Sequence, residues 1–538
     1  MNFGKSSSQT KKSNIGRCTT GRVYRDHDDL IKKAEHWLAN KSPSILGCEN
    51  SHVKARIIQR IVEKTSEEYT KQFSVHMNTL EKPLTSWRLF DVNGVLSIHL
   101  ESGTISVALK EWLKNIFLFV ATWFHMLIYL MIALFRYSPV KSISSTILME
   151  AGGDFRECDD QFVRYCKLGP IAPLSKAKRI IIRSSFKPNK KTDINFRYVA
   201  HPLIYLISNH LQRFDRLELL VQHLFAPIIF IRAILACPIS ILIARDISYL
   251  PIVNFLDKKN LIEAIVITNS SFTSQPLWMK GLSDQRFKLH MVWYSQNFIP
   301  KIYIGEQRGS NLPSARHMRV DIHWVWTKGF KLYLCSLGQR SHINVVGSIL
   351  WYLPEVKLTN DDKKLKIAIF DVTPISEHFG TFGAFKNYYS LSTAQKFITD
   401  IVSIGRRIEE ISGKKIIILL KHKRKPKLGF HSSEYLDFIK NIEKNNPNFF
   451  LIDNKINLFG LIEKCEISIS IPYTSTAYVA AQLKKNTIYY DPFSELKPKY
   501  EKNKFIHFAS GESELEVLLF KHLYNMSHKY LNIKFKDE

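Results

Sequence analysis

The chain has 538 residues, 76 of them Lys or Arg against 48 Asp or Glu, and a formal net charge of +28. With 45% hydrophobic and 12% aromatic residues it has the composition of a folded protein, which excludes wholesale disorder, and its length suits two or three domains. The charge favours anionic partners such as nucleic acid, anionic lipid headgroups or phosphate-bearing substrates. The seven cysteines are never spaced Cys-x-x-Cys, which argues against a disulfide framework or a zinc ribbon and fits a reducing cytoplasm.

No catalytic motif stands out in the N-terminal region. Residues 1–20 are polar and rich in Ser and Lys, so we expect a flexible basic tail rather than a secretory signal. Residues 21–150 form a mixed, helix-leaning region that contains one long apolar stretch, Ile116–Phe135.

Ile116–Phe135 carries no formal charge and is long enough to cross a bilayer, since a spanning helix needs about 20 residues. Basic residues flank it on both sides, so the positive-inside rule gives no orientation, and Trp123 and His125 weaken a span. Three interpretations stay open: a transmembrane helix, a helix in the membrane interface and a buried core helix. A second apolar tract, Leu224–Ala244, is interrupted by Arg232 and two prolines, and we expect it to be mainly a buried helix.

From about residue 150 apolar strand candidates alternate with helical stretches, which predicts parallel sheets covered by helices on both faces. A first lobe is predicted over residues 151–352. Its strand candidates are Arg179–Ile182, Ala264–Thr268, Leu289–Trp293, Ile322–Val325 and Ile343–Val346. A polar, proline-containing stretch near residues 352–363 is predicted to be a linker. The second lobe, residues 363–510, begins with a strand at Lys366–Phe370, and residues 511–538 are predicted to be a helical tail.

The most informative segment lies late in the second lobe. Alternating isoleucines predict a strand over Ile467–Ile471, which Pro472 ends. Three hydroxyl residues then stand at a predicted helix start: Thr474, Ser475 and Thr476. A helix N-terminus at the carboxyl end of a parallel strand is where α/β proteins bind phosphate. On the pattern alone, an ordinary capped helix and a phosphate site are equally good interpretations.

A cluster of cations follows the predicted strand Lys415–Leu420. Its foremost members are Lys421, Lys423 and Arg424. Cations at the carboxyl end of a strand can neutralise a diphosphate, with Arg giving bidentate contacts and Lys a point charge. A solvated basic loop would have the same composition, so the pattern leaves both open.

Other polar residues also follow predicted strands of the second lobe. Thr373 stands just after its first strand, and the loop beyond contains Glu377 and His378, which are candidates for the catalytic base. Asp491 ends a later strand and could bind a ribose or sugar hydroxyl, with Tyr490 stacking on a ring. Each of these could equally belong to an ordinary loop or turn.

In the first lobe, a neutral polar run follows the apolar strand Leu289–Trp293. It consists of Ser295, Gln296 and Asn297. Such groups form the hydrogen-bonding surface that a sugar acceptor requires, although a capped loop would look the same.

Two of these segments carry a family resemblance. Pro-Tyr-Thr-Ser-Thr-Ala at 472–477, followed by Ile-Tyr-Tyr-Asp-Pro at 488–492, resembles the signature of the polysaccharide biosynthesis PFTS motif proteins of bacterial surface-carbohydrate synthesis. Tyr473 stands where the motif has Phe. Further similar segments are Trp293–Asn297, Val346–Ser348, Phe370–Pro374 and Leu420–Arg424. The resemblance covers roughly residues 150–510.

The resemblance implies two Rossmann-like lobes of GT-B type, with the donor nucleotide mainly in the C-terminal lobe and the acceptor facing the N-terminal lobe. It implies transfer of a sugar from a nucleotide-sugar donor to a lipid-linked or glycan acceptor in O-antigen or capsule synthesis, at the inner face of the bacterial membrane. GT-B enzymes generally need no structural metal, and the chain lacks a persuasive Asp-x-Asp element. We therefore expect no metal and no cofactor beyond the nucleotide-sugar substrate.

Three alternatives remain. A relative with the same fold could transfer a phospho-polyol or another activated group. A catalytically inactive scaffold of glycan assembly could keep the lobes as a binding shell. The positive charge would also suit a nucleic-acid-binding protein. That charge is spread along the whole chain, however, and no nucleic-acid-binding motif is recognisable, so we expect no nucleic-acid partner.

Overall fold

The computed structural model describes residues 34–36, 38–39, 43–61, 63, 98–100, 103–105, 109–135, 143–149, 159–183, 195–268, 275–295, 302–304, 313–349, 365–374, 388, 390–422, 431–453, 456–498 and 503–524. The predicted basic tail and the predicted linker lie outside these residues. The chain divides into two compact units, one holding most of residues 1–353 and the other most of residues 354–538.

The first unit contains two sheets. A small antiparallel sheet pairs β1 (Ile98–Leu100) with β2 (Gly103–Ile105). A seven-stranded parallel sheet follows, built from β3 (Ser145–Leu148), β4 (Ile180–Arg183), β5 (Phe196–Val199), β6 (Ile262–Thr268), β7 (Lys288–Val292), β8 (Ile322–Val325) and β9 (His342–Val345). Its strand order is β5-β4-β3-β6-β7-β8-β9, so the chain builds outward from β3 in one direction and then from β6 in the other. This is the doubly wound order of a Rossmann-like fold.

One helix of the first unit covers residues 50–61. The helices that follow it are α1 (Leu109–Phe135), α2 (Asp159–Leu168), α3 (Ala172–Ser175), α4 (Pro202–His210), α5 (Arg213–Leu224), α6 (Ala226–Ala236), α7 (Ala244–Lys258), α8 (Pro313–Arg316) and α9 (Lys328–Ser336). Short 3-10 turns lie at Pro238–Ile243 and Leu277–Met279.

The second unit is a six-stranded parallel sheet with helices between its strands. The strands are β10 (Leu365–Phe370), β11 (Ile416–Lys421), β12 (Phe449–Ile452), β13 (Ile467–Ser470), β14 (Thr487–Asp491) and β15 (Ile506–Ser510), in the order β12-β11-β10-β13-β14-β15. The helices are α10 (Leu391–Ser412), α11 (Ser433–Asn445), α12 (Leu458–Glu463), α13 (Ser475–Gln482) and α14 (Glu512–Tyr524). The core is mainly isoleucine and aromatic, and it packs long helix α10 on the sheet.

The predicted fold class, α/β with two Rossmann-like lobes and a helical N-terminal region, is confirmed. The strands predicted for the two parallel sheets match the observed ones to within two residues, but β3, β5 and β15 are not among the predicted strands. Because β3 begins at Ser145, the first lobe starts before residue 151. The predicted helical tail corresponds to α14 as far as the structure describes it.

By length and composition, three helical segments of the described residues could cross a membrane: Glu111–Phe135, Arg213–Ala236 and Pro238–Lys258. The last is 83% buried in its most apolar window, whereas the first two are 22% and 33% buried. The prediction that Leu224–Ala244 is mainly buried is therefore wrong for its first half. The chain becomes extended at Cys237, so the segments on either side of the break face different surroundings.

Candidate functional site

The strand order of the second sheet defines where a ligand would bind. From the central strand β10 the chain adds β11 and β12 on one side, and it then returns to add β13, β14 and β15 on the other. The direction of winding reverses between β10 and β13. Ligands of open α/β sheets bind outside the carboxyl ends of the strands at such a switch point. The segments that leave β10, β11 and β13 at that edge are therefore the candidate site.

Of these segments, the turn from β13 into α13 is held in an unusual backbone conformation. Tyr473 has a φ of +63°, a left-handed conformation that side-chain-bearing residues rarely adopt. Its hydroxyl donates to the carbonyl of Lys497 at 2.7 Å, and the hydroxyl of Tyr489 donates to the carbonyl of Thr474 at 2.7 Å. The turn is thus pinned from two sides, and strain of about 1–3 kcal/mol maintained in this way is typical of functional sites.

The N-terminus of α13 lacks the usual side-chain cap. Thr474 is the N-cap residue, yet its side chain makes no cap hydrogen bond and its Oγ1 donates to the carbonyl of Ile471 at 2.9 Å. The Oγ1 of Thr476 lies 2.7 Å from Oγ of Ser470 and 3.1 Å from Oγ1 of Thr474. These hydroxyls bond among themselves instead of covering the first amides of the helix. The structure therefore brings the three predicted residues together at the start of α13, where backbone amides are the groups best suited to an anion.

A buried group of three side chains lies next to this turn, around Asp371, the residue after β10. Its Oδ2 accepts hydrogen bonds from Nδ1 of His422 at 2.9 Å and from the hydroxyl of Tyr435 at 2.5 Å. Thr373, a predicted site residue, lies 3.5 Å from the same oxygen. All four side chains are buried. The second oxygen, Oδ1, is buried without a hydrogen-bond partner among the described residues.

The geometry fixes the roles of the three groups. A carboxylate only accepts hydrogen bonds, so Nδ1 of His422 carries a proton and Nε2 is left for a further partner. Burial and the adjacent Asp371 carboxylate raise the pKa of Tyr435 well above its usual value, so its phenol remains a neutral donor. His422 follows β11 directly, so the pair with Asp371 links the carboxyl ends of neighbouring strands. A histidine held in one tautomer at a strand edge can donate to a phosphate or exchange a proton.

Sequence reasoning missed the pairing of Asp371 with His422 and the contribution of Tyr435. The sequence pattern favours Thr373 in the segment around Asp371, and it favours the neighbouring lysines and arginine in the cation cluster that contains His422. A usable signal existed, since a histidine and an aspartate each directly follow an apolar strand.

Asp491 has a different position from the one predicted for a ligand-binding residue. It is fully buried, its Oδ1 accepts from the hydroxyl of Tyr388 and its Oδ2 accepts from the amide of Leu496, each at 2.7 Å. Burial raises the pKa of Asp491, while these hydrogen bonds oppose the rise. Tyr490 is also buried and donates its hydroxyl to Asp400. Both side chains thus build the interior of this lobe instead of facing a ligand.

Of the remaining predicted site residues, the structure describes two. Lys421 ends β11 and is half-buried, and Ser295 is half-buried shortly after β7. Glu377, His378, Lys423, Arg424, Gln296 and Asn297 lie outside the described residues. In the part of the chain that the structure describes, no group of three His, Cys, Asp or Glu could hold a metal ion.

Several solved structures match the chain at low similarity. They include TarM of S. aureus (9% identity, TM-score 0.33), TagF, a wall teichoic acid polymerase solved with CDPG (10%, 0.37), and a putative UDP-N-acetylglucosamine 2-epimerase of Listeria monocytogenes (10%, 0.38). The match covers 52% of this chain and 52% of TarM, 76% and 86% for TagF, and 71% and 88% for the epimerase. The chain thus spans about half the length of TarM, and likeness this remote assigns no reaction. No curated protein matches the chain.

A family match is more specific. The family model for polysaccharide biosynthesis PFTS motif proteins matches residues 229–519, more than half of the chain. The match includes the β13–α13 turn, Asp371 and His422, and it begins later than the resemblance read from the sequence, which started near residue 150. The chain belongs to the polysaccharide biosynthesis PFTS motif protein family.

Proposed function

We propose that the protein transfers a sugar from a nucleotide-sugar donor to a lipid-linked or glycan acceptor during synthesis of a bacterial surface polysaccharide such as O-antigen or capsule. The reaction would take place in the cytoplasm at the inner, anionic face of the membrane. Family membership supports the pathway. One observation supports the proposed reaction most strongly. The buried Asp371–His422 pair lies beside the strained β13–α13 turn, at the switch point of the second sheet.

The donor's diphosphate is proposed to bind at the start of α13. The first amides of a helix attract anions because they lie at the positive end of the helix dipole and have no acceptor within the helix. Thr474, Ser475 and Thr476 would supply these amides, and Lys421 with Lys423 and Arg424 would add positive charge from the neighbouring strand. This arrangement suits a leaving group whose negative charge grows as the bond to the sugar breaks.

His422 is proposed to donate a hydrogen bond from Nε2 to a phosphate oxygen of the donor. Asp371 would hold the imidazole ring in place through its hydrogen bond to Nδ1. Tyr435 would fix the carboxylate in turn, through its hydrogen bond to Oδ2. Asp371 and Tyr435 are therefore positioning residues, while His422 would touch the substrate.

In the transfer step, the acceptor oxygen forms a bond to the anomeric carbon while the bond from that carbon to the diphosphate oxygen breaks. The electron pair leaves with the nucleotide, and the acceptor's proton passes to a base. Glu377 and His378 remain our candidates for that base, and Ser295, Gln296 and Asn297 our candidates for acceptor contacts.

A thermal-shift screen of the full chain against UDP-, GDP-, dTDP- and CMP-sugars tests this proposal. We expect a selective rise in Tm with one nucleotide class, because a ligand at 100 times its Kd stabilises by about 2.7 kcal/mol. Product mass with that donor then separates sugar transfer from phospho-polyol transfer. No rise with any donor, together with normal glycan in cells that carry the His422→Asn variant, would favour the scaffold.

A further inference from the structure

Helices α1 and α5–α6 form an antiparallel pair on the first unit. Contacts join them in reverse order: an Arg216 guanidinium nitrogen donates to Ala133 O at 2.6 Å, Trp123 Nε1 donates to His223 O at 3.1 Å, and the rings of Phe119 and Phe230 stack at 4.1 Å. The 27 residues of α1 extend over about 40 Å. The pair is therefore a continuous two-helix layer.

One side of this layer is apolar and exposed. Among the side chains that the structure describes, nine large hydrophobic ones of α1 and eight of α5–α6 are exposed, and they recur every three or four residues. They include Phe117, Phe124 and Ile132 on α1, and Leu224, Ile228 and Leu235 on α5–α6. We call this surface the apolar face. Large exposed apolar patches mark sites where proteins bind a partner or a membrane.

The opposite side of the layer is fixed to the globular unit. Helix α7 packs against α1, α5 and α6. It is anchored at both ends, because Asp246 accepts from Arg56 at 2.7 Å and Asp257 accepts from the amides of Arg286 and Phe287 at 2.9 and 3.1 Å. The two-helix layer therefore lies along the surface of the unit.

The order of elements along the chain is incompatible with a spanning hairpin. Strands β3, β4 and β5 lie between α1 and α5 in sequence, yet β3 pairs with β6, which follows α6. If α1 and α5–α6 crossed a bilayer and returned, the bilayer would separate β3 from β6. A single span by α1 fails as well, because Glu49 and Arg56, before it, bond to Gly281 and Asp246, after it.

We infer that the apolar face inserts into one leaflet of an anionic bilayer, with both helices parallel to the membrane plane. The sequence left three interpretations open for Ile116–Phe135, and the proposed insertion corresponds to the helix in the membrane interface. The inference extends the membrane association of the proposed function by naming its surface and orientation. Its readout is lipid binding rather than sugar transfer, so the two proposals fail separately.

Charge identifies an anionic lipid surface as the occupant. Lys114 and Arg232 are exposed at one end of the helix pair and Arg213 at the other, where in-plane helices meet phosphate headgroups. The acidic side chains near the face lie beside lysines: Asp215 and Glu218 are 2.7 and 3.6 Å from Lys259, and Glu111 is 3.8 Å from Lys114. A second copy of a chain with net charge +28 would bring like charges together, which disfavours dimerisation through this face.

Vesicle flotation of the full chain tests the inference. We expect the chain to bind vesicles of equal phosphatidylglycerol and phosphatidylcholine, and to bind pure phosphatidylcholine more weakly. Phe117→Glu and Ile228→Glu should each weaken binding about tenfold, since each removes an apolar side chain that would be buried in the leaflet. Leu332→Glu, at a leucine 69% exposed on α9, is the matched control and should bind like wild type. An unchanged Tm shows that a variant is folded, and the two variants lie on different helices.

Three results would overturn the inference. The first is equal flotation of wild type and both folded variants. The second is a stable wild-type dimer in light scattering that the same substitutions dissociate, which would assign the face to a second copy. The third is protease cleavage within residues 136–212 from the outer side of intact spheroplasts, which would require a span.

Discussion

Replacing Asp371 with Asn removes the charge at the centre of the buried side-chain group while it keeps the shape. In the native protein Oδ2 accepts two hydrogen bonds, from His422 at 2.9 Å and Tyr435 at 2.5 Å. Hydrogen bonds to a charged group contribute about 1.5–3 kcal/mol and neutral ones about 0.5–1.5 kcal/mol. The two bonds together should therefore lose about 2 kcal/mol. Since 1 kcal/mol shifts Tm by about 2–4 °C in a unit of this size, we expect a fall of about 4–8 °C.

The same substitution should affect sugar transfer more than stability. Without the carboxylate, His422 loses the partner that fixes its tautomer, so we expect kcat to fall about a hundredfold or more with a smaller change in the donor's KM. Asp437→Asn is the matched control, because Asp437 is exposed on the same helix as Tyr435 and pairs only with Lys440 in the described structure. Wild-type kcat and Tm in Asp371→Asn, or equal losses in both variants, would refute the reasoning.

Three further predictions concern other buried groups. Burial lowers the pKa of His323 to about 4, so below about pH 6.5 this residue binds a proton in the unfolded chain but not in the folded one. The free energy of unfolding should therefore fall by about 2 kcal/mol between pH 7 and pH 5. Equal denaturant midpoints at the two pH values would contradict this. Tyr473→Phe loses the bond to Lys497 and should cost about 1 kcal/mol in urea unfolding while donor binding persists. Asp491→Asn should cost about 1–2 kcal/mol without raising the donor's KM; a raised KM at unchanged stability would restore the predicted ribose contact.

The parallel-sheet fold was predictable because apolar strands alternate with helical stretches, as in the exact match at Ile322–Val325. The strands β3 and β5 were not, since polar and charged residues such as Ser145, Thr146 and Arg197 interrupt their apolar pattern. Their place in the sheet depends on pairing with distant strands, which a local pattern does not contain.

The candidate site was predictable in location but only partly in chemistry. The hydroxyl-rich helix start follows from Pro472 and the preceding isoleucines. Asp371, His422 and Tyr435, however, meet across 51 and 64 residues of sequence, and only the fold brings them together. The left-handed backbone at Tyr473 also depends on tertiary contacts, because nothing in that residue type favours it.

The apolar helices show the same limit. Composition marks Ile116–Phe135 as suited to a bilayer, but whether it spans, lies flat or is buried depends on which side packs against α7. That side is set by Phe119, Met126 and Leu130, which are buried while their neighbours on the helix are exposed.

Calorimetric titration of the full chain with the nucleotide sugar selected by thermal shift tests the central claim most directly. The informative variant is His422→Asn, because its amide nitrogen can replace Nδ1 in the contact with Asp371 while Nε2 is deleted. If His422 contacts the donor, Kd should rise about tenfold or more in this variant, the loss of one charge-assisted hydrogen bond, and stay unchanged in Asp437→Asn. Equal Kd values in wild type and a folded His422→Asn variant would contradict the assignment of the donor site.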